Sequence, residues 1–181
     1  MRMYGIGGAN RAMGFEAKRP ENNATGKNFT EQMGKAASAK PRVYTVYTIT
    51  DDMLYSGGNG TGLSFYIKYA KDSTEEDPTV IAKGVDENGE EFEQTIHIND
   101  INPNCATIVE MRALEAYTGV EKQNGFTSLP METGSMGLND RRNFMDMFQK
   151  QIRDMSILKQ RNAMAYYQYS METYWDFMNR K

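Results

Sequence analysis

From residue 43 the chain reads VYTVYTIT, with Val43, Thr45, Tyr47 and Ile49 on one side and Tyr44, Val46, Thr48 and Thr50 on the other. β-Branched and aromatic residues alternating at period two predict a strand. LSFYIKYAK (63–71) predicts a second strand, and TVIAKGV (79–85), after the acidic turn DSTEEDP, a third. Asp86, Glu87, Asn88 and Gly89 then supply a hairpin turn, and the returning strand carries Phe92, Gln94, Ile96 and Ile98 at alternate positions. Asn88-Gly89 is expected to provide the positive φ angles of that turn.

Beyond residue 104 the period changes. In CATIVEMRALEAYTG (105–119), Ile108, Met111 and Leu114 recur at helical spacing, Val109, Ala113 and Tyr117 form an adjacent stripe, and Gly119 is a natural stop. Residues 120–138 are turn-rich and predict a loop. Asn139 or Asp140 is the expected cap of a helix whose inner face carries Phe144, Phe148, Ile152 and Met155. The phase shifts near Arg161 and Asn162, which predicts a kink or a short turn. The last helix then bears two apolar stripes: Met164, Tyr167, Met171, Tyr174 and Met178, and beside them Tyr166, Ser170, Thr173 and Phe177.

Residues 1–42 follow neither period. They are rich in Gly, Asn, Ala and Lys, with apolar residues too sparse for a core, and predict a flexible basic arm. One short helix is expected near 28–39, where Phe29 and Met33 lie four apart on one side. The expected architecture is α+β in one domain, 43–181. Residues 43–104 form a small antiparallel sheet of three to four strands, 105–119 a central helix, and 139–179 a C-terminal helical hairpin or kinked long helix.

Charge sharpens this division. Residues 1–42 carry eight Lys and Arg against three Asp and Glu, while 43–104 carry three against twelve. Opposite signs on adjacent segments suit an arm that lies on an acidic surface, its own or a neighbour's. A nucleic-acid binder would concentrate positive charge on its folded part, so nucleic acid is not an expected partner. No apolar run approaches the ~18 residues of a membrane-spanning helix, so no membrane insertion is expected. MRMYGIGGANRAMGF has Gly and Asn where a secretory signal needs continuous apolar residues, which points to the cytoplasm, with export lacking a cleaved signal as the alternative.

The candidate chemistry is thin. The chain has one cysteine, Cys105, and one histidine, His97, which excludes an internal disulfide and most zinc frameworks. The two are eight residues apart, so a Cys-His nucleophilic pair is conceivable, beside the ordinary reading of a solvent-facing histidine and a small buried cysteine. SGGNGTG (56–62) lacks the Gly-Lys-Ser/Thr ending of a P-loop and precedes a strand, so it reads as a flexible connection. Asp51-Asp52, Glu75-Glu76-Asp77 and the DENGEE turn have the composition of a cation site, but their spacing is not that of a calcium loop. No catalytic residue, metal or cofactor is nominated.

The segment VIAKGVDENGEEFEQTIHINDINPNCATIVEMRALEAYTG resembles a group of uncharacterised short proteins from Firmicutes, many from gut Clostridia. They share the hairpin around Asn88-Gly89, the Asn-Pro-x-Asn-Cys junction ending at Cys105, and the Val-Glu-Met helix start at Val109. The resemblance covers about a quarter of the chain well and implies a shared fold of hairpin, helix and helical tail. It implies no activity. Asn102 and Asn104 suit turn and cap chemistry, which gives the junction a structural reading.

The most unusual feature is the C-terminal segment: residues 139–181 hold eight aromatics and six of the fourteen methionines. Methionine repacks easily and tyrosine pairs apolar area with a polar tip, a combination used for docking. The expected function is therefore a non-catalytic structural or interaction module that self-associates or docks a protein partner. Phe29, Met33, Tyr166, Tyr169, Thr173 and Phe177 are the expected contacts. The alternatives are a leaderless exported surface or appendage protein, and a small-ligand binder or enzyme using the glycine loop, His97 or Cys105.

Overall fold

The computed structural model describes Tyr47 and residues 50–120 and 128–180. The expected arm, with Phe29, Met33 and the helix near 28–39, lies outside the described residues, as does most of the strand expected from Val43. All described residues belong to the unit Pro41–Lys181.

Four strands, β1 (Met53–Gly58), β2 (Ser64–Tyr69), β3 (Thr79–Val85) and β4 (Glu91–His97), form an antiparallel sheet in sequence order. Three helices follow: α1 (Ile108–Thr118), α2 (Phe144–Ile157) and α3 (Arg161–Asn179). The class is α+β. Among the described residues no helix is long and apolar enough to cross a membrane.

The sheet is built from short connections. Asp86 Oδ1 accepts hydrogen bonds from the backbone N–H of Asn88 (2.8 Å) and Glu90 (2.9 Å), which closes the β3–β4 turn. The positive φ falls on Gly89 (85°) and not on Asn88, so one residue rather than two takes the left-handed conformation. Across the sheet, Tyr55 pairs with Ile67, Ile67 with Ala82 and Ala82 with Gln94; the next row is Gly57, Phe65, Gly84 and Phe92. The rings of Phe65 and Phe92 lie 6.3 Å apart on either side of Gly84, and Tyr55 sits 5.2 Å from Phe65. On the other face Lys83 and Glu93 pair directly across strands at 2.8 Å.

The expectation of a loop at 56–62 is corrected at its start, because Ser56, Gly57 and Gly58 belong to β1. β2 supplies the ladder that holds them extended, and the true turn is Asn59–Gly62.

Helix α1 starts with a capping box: Thr107 Oγ1 accepts from Glu110 N (3.2 Å) and Glu110 Oε2 accepts from Thr107 N (2.8 Å). It stops at Gly119 (φ 69°), whose N–H reaches Glu115 O. Asn102 makes the preceding turn, its Oδ1 accepting from Asn104 N at 3.0 Å. Helix α2 is capped by Asn143, not by Asn139 or Asp140. Residues 141 and 142 are drawn toward the start of α1, with Ala106 and Arg142 exchanging backbone hydrogen bonds and Arg141 Nη2 donating to Glu110 Oε1 at 2.6 Å.

The break expected near Arg161 falls at residues 158–160, where Lys159 takes φ 57° and Gln160 N reaches back to Met155 O. A helical hairpin results. α3 packs along α2 and touches α1, with Phe148 against Tyr167 (6.4 Å) and Tyr174 (5.7 Å), and Tyr117 against Phe177 (6.2 Å). Its fully covered residues are Ala163, Tyr166, Tyr167, Ser170 and Tyr174. The two predicted stripes are thus the shoulders of one buried face, because α3 has neighbours on two sides. Tyr166 is inside the fold, which corrects its expected place on a partner-facing stripe.

Candidate functional site

The His97 ring faces the loop before β3. Its Nδ1 lies 3.1 Å from Asp77 Oδ2 and 3.2 Å from Thr79 Oγ1, and neither partner is Cys105. Cys105 is exposed, and its carbonyl accepts from Arg141 Nη1 at 2.9 Å. These contacts give each residue a structural partner and bring no nucleophile to a base. Among the described residues no group of three or more His, Cys, Asp or Glu could hold a metal ion.

The β1–β2 turn is fastened. Asn59 Nδ2 donates to Met136 O (2.6 Å), Asn59 Oδ1 accepts from Thr61 Oγ1 (2.6 Å), and Gly60 N donates to Gly134 O (3.0 Å). These bonds clamp the turn onto the 3-10 turn Met131–Ser135. Groups committed in this way do not form a phosphate cradle.

Two features stand out instead. The first is on the surface, where α2 ends. Ile157 is 78% exposed, Leu158 61% and Met131 69%. They border a groove of about 690 Å³ whose floor includes Met147 and Met155 and whose rim carries Lys150, Glu132 and Asp154. Lys150 and Glu132 pair across it at 3.0 Å. Exposed apolar residues occurring singly are ordinary, but a contiguous set beside a methionine-floored groove is the usual mark of a contact surface.

The second is inside. On α1, Arg112 Nη1 donates to Glu115 Oε2 at 2.6 Å and to Ser128 Oγ at 3.1 Å, and Ser128 Oγ donates to Glu115 Oε1. Both charged side chains are largely covered. The Tyr55 ring lies over the guanidinium, 5.3 Å from centroid to Cζ. Burial works against the arginine charge, yet Glu115 and Tyr55 more than offset it, and the guanidinium is held above its usual pKa. Nearby, the hydroxyl of Tyr174 is buried and has no hydrogen-bond partner among the described residues. Burial first, then the negative charge of Glu115, hold its pKa well above the usual 10.0, with Arg112 pulling the other way.

Beside Arg112 a cavity of about 290 Å³ opens between the sheet and the 3-10 turn. Tyr55, Phe65 and Ile108 form apolar walls, and Gly58, Asn59 and Gly134 close the side toward the clamped turn.

Of the expected contact residues within the described part, Tyr169 is exposed, Thr173 and Phe177 are half-buried, and Tyr166 is covered. Trp175, Ile157 and Leu158 are exposed apolar residues that the stripe pattern passed over. Ile157 and Leu158 do carry a signal, since they fall outside the phase set by Phe144, Phe148, Ile152 and Met155. Arg112 carries a fainter one, being flanked by Met111, Ala113 and Leu114 on α1.

No protein-family model, curated protein or solved structure matches the chain. The functional reading therefore rests on the geometry.

Proposed function

We propose that the protein is a non-catalytic interaction module that associates with a second copy of itself through the end of the α2–α3 hairpin. The observation that carries this reading is the exposure of Ile157 and Leu158 beside the groove floored by Met147 and Met155. A projecting apolar pair and an apolar groove on the same patch are self-complementary. A two-fold contact inserts each pair into the other copy's groove, and a rim carrying Lys150, Glu132 and Asp154 offers both signs of charge to itself.

Burying Ile157, Leu158 and Met131 contributes roughly 5–9 kcal/mol gross, at 1.5–3 kcal/mol for each side chain. Association itself costs about 4–15 kcal/mol in lost freedom, so a weak, concentration-dependent dimer is expected rather than an obligate one.

Sedimentation velocity from about 10 μM to about 1 mM tests it, a range that brackets such affinities. The wild type should shift from monomer toward dimer, and Ile157→Asp with Leu158→Asp should stay monomeric while keeping the wild-type circular dichroism. A wild type that remains monomeric throughout, or a variant that dimerises equally well, would overturn the proposal.

A further inference from the structure

The cavity beside Arg112 shares only Met131 with the self-association patch, and its chemistry is specific enough to name an occupant. Arg112 commits one nitrogen, Nη1, to Glu115 and Ser128. Its Nε and Nη2 have no hydrogen-bond partner among the described residues. These two form one edge of the planar guanidinium, so the side chain that lines the cavity carries two parallel N–H donors. The walls are aromatic and aliphatic, from Tyr55, Phe65 and Ile108.

Charge then chooses among acceptors. Arg112 is already neutralised by Glu115 at 2.6 Å, in a site where both side chains are largely covered. An anionic ligand would add an unbalanced negative charge next to the glutamate, and unpaired buried charge is strongly disfavoured. An uncharged carbonyl oxygen takes the two donors without that penalty. The volume, about 290 Å³, lies at the lower limit of small-molecule pockets and suits a single ring with one polar substituent.

We propose that this cavity binds a small, flat, uncharged amide or related carbonyl compound, its oxygen on the Nε–Nη2 edge of Arg112 and its ring between Tyr55, Phe65 and Ile108. The two glycines that end β1 fit this role. A Cβ at Gly57 would meet Tyr55 Oη at 2.6 Å, and one at Gly58 would meet Leu63 O at 2.8 Å. Side chains there would push apart the ring and the turn that bound the cavity.

The test is saturation-transfer NMR on the full chain, with benzamide as probe and benzoate as its charged counterpart. Benzamide should bind in the millimolar range and benzoate about tenfold or more weakly. Arg112→Lys keeps the charge for Glu115 but loses the fork, and Gly134→Trp sets an indole on the cavity lining at a position where a Cβ meets nothing within 4 Å. Each should reduce benzamide binding about tenfold with the wild-type circular dichroism retained. Arg112→Lys is the more intrusive change, so Gly134→Trp decides the matter if the lysine variant fails to fold. Absence of benzamide binding, benzoate binding as tightly as benzamide, or a Gly134→Trp protein that binds unchanged would each overturn the proposal.

Discussion

Tyr174→Phe should make this protein more stable, which few deletions of a buried atom do. The phenol ring is fully covered and packs 5.7 Å from Phe148, a contact that phenylalanine keeps. The hydroxyl has no partner among the described residues, so the fold carries the desolvation of a polar group without a compensating hydrogen bond, a cost of about 1–3 kcal/mol. Removing one oxygen leaves a space smaller than a methyl group and forfeits a few dispersion contacts. The balance is a gain of about 1 kcal/mol, or about 3–4 °C in Tm for a folded unit of this size. Calorimetry at pH 7 reads it directly. The alkaline limb gives an independent measure. Burial raises the Tyr174 pKa in the folded state above 10.0, so its contribution is fully present below pH 10 and is lost as pH rises toward the folded value. In that window the wild type should lose about 1.4 kcal/mol per pH unit from this one group, and Tyr174→Phe should not. A variant destabilised by about 1 kcal/mol or more would refute the reasoning, because the hydroxyl would then have to be hydrogen-bonded.

Three further outcomes follow from the same packing. Arg112→Met or Glu115→Leu alone strands a buried charge and should cost about 3–5 kcal/mol in urea titrations, whereas the double variant should fall within about 1 kcal/mol of wild type; additive losses would contradict this. Gly84→Ala sets a Cβ against Ser64 O and 2.6 Å from Phe65 Cα, so it should cost about 3 kcal/mol or more by thermal unfolding, a loss absent if the strands can part freely. Thr107→Ala removes the α1 cap and should cost about 1 kcal/mol, with Thr107→Ser restoring most of it in the same assay.

Local patterns carried much of the fold. The β3–β4 hairpin was legible because Asp86 and Gly89 fix a turn within five residues, and α1 because its apolar period ends on Gly119. The α2–α3 break was legible as a change of phase. β1 was not, since Gly57 and Gly58 weaken any strand pattern and it is the ladder to β2 that holds them extended. The caps of α1 and α2 were missed for related reasons: Thr107 and Glu110 are unremarkable until helix and turn meet, and Asn143 competes locally with Asn139 and Asp140. The site was less legible than the fold. Arg112 and Glu115 stand three apart on a helix, which in a sequence reads as a surface ion pair. Their burial is decided by Tyr55 on β1 and by Ser128, 13 residues past Glu115, partners remote along the chain.

The position of this polar group inside the core is itself informative. Elsewhere the levels agree: turn residues sit in turns, a capping box opens α1, and the wide apolar face of α3 is covered by α1 and α2. Arg112, Glu115 and Ser128 break that agreement, because apolar residues of similar volume would hold α1 against β1 at least as well as a desolvated ion pair does. Sequences tend to depart from such consistency where function requires it. Here the departure coincides with the cavity, with donors on Arg112 that have no partner among the described residues, and with a glycine-bearing turn clamped beside it. A ligand that accepts hydrogen bonds from Arg112 would draw on all three together.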